Sequence, residues 1–145
     1  MKNIKYIIVL SIAVILSSCY EEEHFLDGNA TSDGKYFPVI QSVSIDNIPE
    51  IDSFAVGETV KIVVKYWSKD PIKELVLFDN IDDVVTLIST TPYTYSYDTE
   101  SAAEKVTLDY QVPVGSNGKE VGLLVGVINE NGLAREKTTS IKVLK

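Results

Sequence analysis

Apolar and polar side chains alternate with a period of two through much of the chain beyond residue 35. In VKIVVKYW, Val60, Ile62, Val64 and Tyr66 fall on one face, while Lys61, Val63, Lys65 and Trp67 fall on the other. In KVTLDYQV, Val106, Leu108, Tyr110 and Val112 alternate with Lys105, Thr107, Asp109 and Gln111. A period of two with one polar face describes a half-buried strand. The same signal predicts strands at Val39 to Ile45, Glu74 to Phe78, Val84 to Ser89, Val121 to Ile128 and Thr138 to Leu144.

Turn chemistry separates these runs. Breaks are expected at Asn47 to Pro49, Val56-Gly57, Lys69 to Pro71, Asp79 to Asp83, Pro113 to Gly118 and Asn129 to Gly132. Asn131-Gly132 predicts a two-residue hairpin. Only Thr99 to Lys105 has room for a helical turn, and nothing suggests a βαβ unit. Short strands at this spacing predict an all-β fold, an antiparallel β-sandwich of about seven strands.

Two longer stretches carry a family resemblance. TPYTYSYDTE, Thr91 to Glu100, followed by VGVINENGLAREKTTSIKV, Val125 to Val143, resembles bacterial immunoglobulin-like domains. The opening PVIQSVSI and FAVGETVKIVV fit the first two strands of that family. The resemblance implies an immunoglobulin-like or fibronectin-III-like sandwich over roughly residues 36–145. It also implies a setting, because such domains are common at the base of Bacteroidetes lipoproteins in polysaccharide-uptake systems.

The amino terminus has a different pattern. Lys2 and Lys5 precede an apolar run from Tyr6 to Leu16, the charged and hydrophobic regions of a secretory signal. Eleven helical residues would span about 17 Å, short of a bilayer core of about 30 Å. The run ends in Leu16-Ser17-Ser18-Cys19, which resembles the lipobox of bacterial lipoproteins. The resemblance implies cleavage of residues 1–18 and attachment of diacylglycerol and acyl chains to Cys19. Each buried methylene adds about 0.8 kcal/mol, so several chains anchor far more firmly than one.

Cys19 is the chain's one cysteine, so no thiol is left for a disulfide and the domain must stand on its core. Glu21, Glu22 and Glu23 follow it, and an acidic cluster there resembles the surface-export signal of Bacteroidetes lipoproteins. That implies the cell-surface leaflet of the outer membrane, with a periplasm-facing anchor as the alternative. Residues 19–35, rich in Glu, Asp, Gly, Ser and Asn, read as a flexible tether. Residues 36–145 suffice for one domain.

Charge narrows the partners. Removing Lys2 and Lys5 from 13 basic residues leaves 11 against 21 acidic, a formal charge near −10. Such a surface repels phosphate backbones, so nucleic acid is excluded as a partner. Attachment to the membrane then falls to the acyl chains, and envelope proteins or glycans remain as partners.

Candidate chemistry is sparse. His24, the one histidine, sits in the tether, which excludes a Ser-His-Asp or multi-histidine zinc site within the domain. The chain therefore reads as non-enzymatic, without a resident cofactor. Asp79, Asp82 and Asp83 cluster oxygen ligands of the kind calcium takes, although without the spacing of an EF-hand, and a solvated strand connection is the plainer reading. Tyr93, Tyr95 and Tyr97 alternate, so an extended chain would set three rings on one face, with Trp67 as a possible fourth. An exposed row would stack on sugars, whereas buried rings would be packing. Two functions follow: a display or protein-interaction module on a lipid anchor, and a glycan-binding lipoprotein.

Overall fold

The computed structural model describes residues 28–145. Leu16, Ser17, Ser18, Cys19, Glu21, Glu22, Glu23 and His24 lie outside the described residues. Eight strands follow in order: β1 (Val39–Ile45), β2 (Thr59–Trp67), β3 (Ile72–Ile81), β4 (Val84–Pro92), β5 (Tyr97–Asp98), β6 (Ala103–Gln111), β7 (Glu120–Asn129) and β8 (Ala134–Lys142). One sheet has the order β1-β2-β6-β5 and the other β4-β3-β7-β8. Every strand pairing is antiparallel. This is the immunoglobulin-like sandwich, with A-B-E-D on one side and C′-C-F-G on the other. The strand beyond the expected seven is β5, whose two residues are too short to leave an alternation.

The predicted faces are the observed ones. Val60, Ile62, Val64 and Tyr66 of β2 are buried, as are Leu108 and Tyr110 of β6 and Val112 just beyond it. From the opposite sheet come Leu75 and Leu77 of β3 and Val121, Leu123, Val125 and Val127 of β7. Each such side chain contributes roughly 1.5–3 kcal/mol by leaving water. Phe54, from the connection between β1 and β2, closes one end of this layer. Its amide donates to the Lys142 carbonyl and its carbonyl accepts from the Leu144 amide, both at 2.9 Å.

The turns depart from expectation in instructive ways. β3 runs on through Asp79 and Asn80 to Ile81, so the expected break shrinks to Asp82-Asp83. Both aspartates have positive φ, 52° and 64°, in a two-residue hairpin joining the paired Ile81 and Val84. Positive φ at both central residues matches the right-handed strand twist, and aspartate tolerates it better than most residues.

Between β7 and β8 the Asn129 amide donates to the Leu133 carbonyl at 2.9 Å, so the loop they close holds three residues, 130–132, rather than two. The Gly132 amide donates to the Asn129 carbonyl at 3.0 Å, and Gly132 alone takes the left-handed conformation, φ 84°. That geometry is a type I turn closed by a bulge, which needs glycine only at its last position. Thr99–Ala102 is a turn between β5 and β6 and not helical, because β6 already begins at Ala103.

The domain also begins before Tyr36. Ala30 bridges Tyr36, the Phe37 amide donates to the Asn29 carbonyl at 2.8 Å, and Arg135 lies over the Phe37 ring at 4.2 Å. The stretch 28–35, expected as tether, therefore folds back on the sandwich.

The assignment of faces yields a sharp contrast. Leu108→Ala should cost about 2–5 kcal/mol, since it empties a site in the middle of the core. Asp109→Ala should stay within roughly 0.5 kcal/mol, because it removes only an exposed pairing with Lys61 at 3.5 Å. Urea unfolding of the two variants measures the difference, and the reverse order would mean that β6 has the wrong register.

Candidate functional site

After β4 the chain leaves one sheet and crosses to the other through residues 93–96. Glu104, on the interior side of β6 and 9% exposed, holds this crossing in place. It accepts from the Tyr93 hydroxyl at 3.1 Å, and from the Ser96 amide and hydroxyl at 2.6 and 3.2 Å. Burial of the carboxylate is tolerable because three donors surround it. Its position was visible in the alternation: Glu104 continues the inward row Val106, Leu108, Tyr110 two residues upstream. What hid it was the expectation of a helical turn there.

This crossing divides the aromatic row. Tyr93 packs against the core and spends its hydroxyl on Glu104. Tyr95 and Tyr97 are 73% and 49% exposed, their rings stacked with centroids 6.5 Å apart and 12° between planes. Because residues 93–96 are not in a strand, strict alternation does not carry all three rings to one surface. Trp67 stands apart from them. Tyr66, Glu104 and Tyr97 form one cross-strand row on the interior side of their sheet, so Trp67, next to Tyr66, points to the opposite face. The expected platform of four rings is thus a pair.

The aspartate cluster is divided as well. Asp79 is 5% exposed and accepts a hydrogen bond at 3.0 Å from the hydroxyl of Tyr110, on the opposite sheet. Asp82 sits in the exposed hairpin and pairs with Lys119 at 2.8 Å. Asp83, beside it, is exposed. Strand β3 turns Asp79 inward and the hairpin turns the others to solvent, so the three do not converge. No group of three or more histidine, cysteine or acidic side chains among the described residues is placed to hold a metal ion.

A second polar cluster lies where the chain enters β1, and the sequence reading passed over it. Asp70 Oδ2 accepts from the Tyr36 amide and from Asn131 Nδ2, each at 2.7 Å. Asn129, fully buried, donates to the Tyr36 carbonyl at 3.0 Å and to Ser68 Oγ at 2.8 Å. Lys69 Nζ sits 4.0 Å from the centre of the Tyr36 ring. These contacts join three connections that are distant in sequence, so each residue read alone looked like turn chemistry. The cluster fixes the chain at Tyr36, between the folded-back stretch 28–35 and β1.

No protein-family model matches this chain, and no curated protein matches it. Among solved structures it is similar to wild-type OgpA from Akkermansia muciniphila, seen in two crystal forms, each with TM-score 0.54 and 16% identity. The match covers 81% of this chain and 31% or 32% of OgpA, so the chain spans about a third of that protein's length. It also matches Spo0M, a sporulation control protein from Bacillus subtilis, with TM-score 0.43 and 12% identity, over 74% of this chain and 49% of that one. At these identities the likeness to OgpA is one of fold.

The interior phenols make stability depend on alkaline pH. Burial, then the bond to Glu104, pushes the Tyr93 phenol up to about 12. Burial also raises Tyr66, and burial with the Asp79 bond raises Tyr110. Folding thus favours the protonated phenols. Their contribution is complete below the unfolded tyrosine value near 10 and is lost as pH climbs through the folded values. The urea midpoint should hold level to about pH 9.5, then fall between about pH 10 and 12. Tyr93→Phe should reduce that fall, and an unchanged pH profile in this variant would refute the role given to Tyr93.

Proposed function

We propose that this chain is a lipid-anchored, non-catalytic immunoglobulin-like module that serves display or protein interaction at the cell envelope. It would act as an accessory subunit of a larger envelope or polysaccharide-uptake complex. The observation that carries this reading is Leu16-Ser17-Ser18-Cys19, which closes a short apolar run and holds the chain's only thiol. Acylated Cys19 would hold the protein to the outer membrane. Glu21, Glu22 and Glu23 would direct it to the cell surface.

Cys19→Ala should abolish labelled-palmitate incorporation and release the protein from the membrane fraction, while protease added to intact cells should digest the wild-type domain. A Cys19→Ala protein that stays in the membrane would place the anchor elsewhere.

A second reading, a glycan-binding lipoprotein, draws on one feature: the stacked, exposed pair Tyr95 and Tyr97. Two adjacent rings offer an apolar platform for a sugar face. On a glycan array, the Tyr95→Ala, Tyr97→Ala double variant should lose whatever signals the wild type gives. Signals that survive the double substitution would exclude this surface.

A further inference from the structure

Strand β4 is the outer strand of its sheet, and among the described residues nothing pairs with its far side. Its nine residues, VVTLISTTP, carry no charge, and proline appears only at the last position. The other edge of the same sheet, β8, bears Arg135, Glu136, Lys137 and Lys142. Charged side chains along an edge discourage another strand from adding to it, and β4 lacks that protection. Val84, Val85, Leu87 and Ile88 are 64%, 58%, 54% and 40% exposed.

The interior side of this edge is also open. β1 lies against β8, so the sheets align with two-residue β5 opposite nine-residue β4. A groove of about 390 Å³ occupies the uncovered space, walled by Ile81, Val84, Ile88, Pro113 and Val114. Asp79 lines it from β3, opposite Thr86 of β4 in the sheet register. The one cation lining the groove, Lys119, is paired with Asp82 at 2.8 Å. Among the described residues Asp79 has a hydrogen bond from Tyr110 and no ion pair. A buried carboxylate beside an apolar groove calls for a positive partner.

We propose that the β4 edge and its groove form a docking site for an extended segment of a partner protein, with alternate apolar residues and one lysine or arginine that reaches Asp79. This rests on the interaction-module reading and names the partner's chemistry. The bare edge of β4 selects a strand, because only an extended backbone satisfies a row of amides and carbonyls. The apolar walls select alternate side chains of that strand. A residue added opposite Thr86 would lie two strand spacings, about 10 Å, from Asp79, within reach of an extended basic side chain that keeps its stem on the apolar walls. The chain's formal charge of −8 favours a basic segment over an acidic one.

The probe is a capped nine-residue peptide alternating threonine and valine, with lysine at the central valine position; its control has norleucine there. Binding is read by fluorescence anisotropy with the full chain in mild detergent. The lysine peptide should bind at least about tenfold tighter than the norleucine peptide. Asp79→Asn should erase that preference. Thr86→Lys, at an exposed position, should erase it too by placing an ammonium beside Asp79, which keeps the test valid if Asp79→Asn fails to fold. Bound peptide should also slow amide exchange along β4. Equal affinity for the two peptides, no binding by either at millimolar concentration, or a preference that survives Thr86→Lys would overturn the proposal. So would a dimer of the free chain that Thr86→Lys dissociates, since the edge would then belong to a second copy. Cys19→Ala should leave both affinities unchanged, so failure of the anchor and failure of this site are read separately.

Discussion

Two sheets meet across a layer of valine, leucine, isoleucine and tyrosine, and no disulfide crosses that layer, since the only cysteine lies at position 19. Everything else depends on keeping the two inner faces complementary. A slip of one residue in any strand would turn its apolar set to water and its polar set inward. The loops reflect this demand. Asp82 and Asp83 accept an unusual backbone conformation, and Gly132 closes a bulged turn, so that the strands on either side stay in register. Gly126 serves the same end on β7: a methyl group there would come within 2.7 Å of Val76.

Two of the buried polar residues among the described ones are carboxylates, and each has a defined task. Tyr110 spans the sheets to reach Asp79, and Glu104 gathers the crossing segment through Tyr93 and Ser96. Both carboxylates stand on the inward rows of their strands, where an apolar residue would have been simpler. Glu104 is fully occupied with holding the crossing. Both carboxylates border open grooves, but Asp79 accepts one hydrogen bond where Glu104 accepts three, and that difference separates a structural carboxylate from one available to a ligand.

The proposed anchor and the proposed docking edge fit one arrangement. A tether that joins the domain at Gly28, whose carbonyl accepts a hydrogen bond from Arg135 of β8, meets the sheet at the edge opposite β4. The domain is small and has an unguarded edge. Such a domain is suited to receiving a strand from a larger assembly.

Alternation alone revealed seven of the eight strands, their inward faces and the sandwich class, because burial on one side of a pleated strand leaves a period of two in the residues themselves. The leader pattern around Cys19, on which the proposed anchor rests, is likewise read from consecutive residues. Tertiary structure alone decided which separated residues meet. Tyr93 faces Glu104 while Tyr95 and Tyr97 face water, because the chain crosses between sheets there and local periodicity stops. Asp79 parts from Asp82 and Asp83 because β3 continues through the expected turn. Only sheet order reveals that β4 is an edge, because strand neighbours are set by long-range pairing that no local pattern encodes.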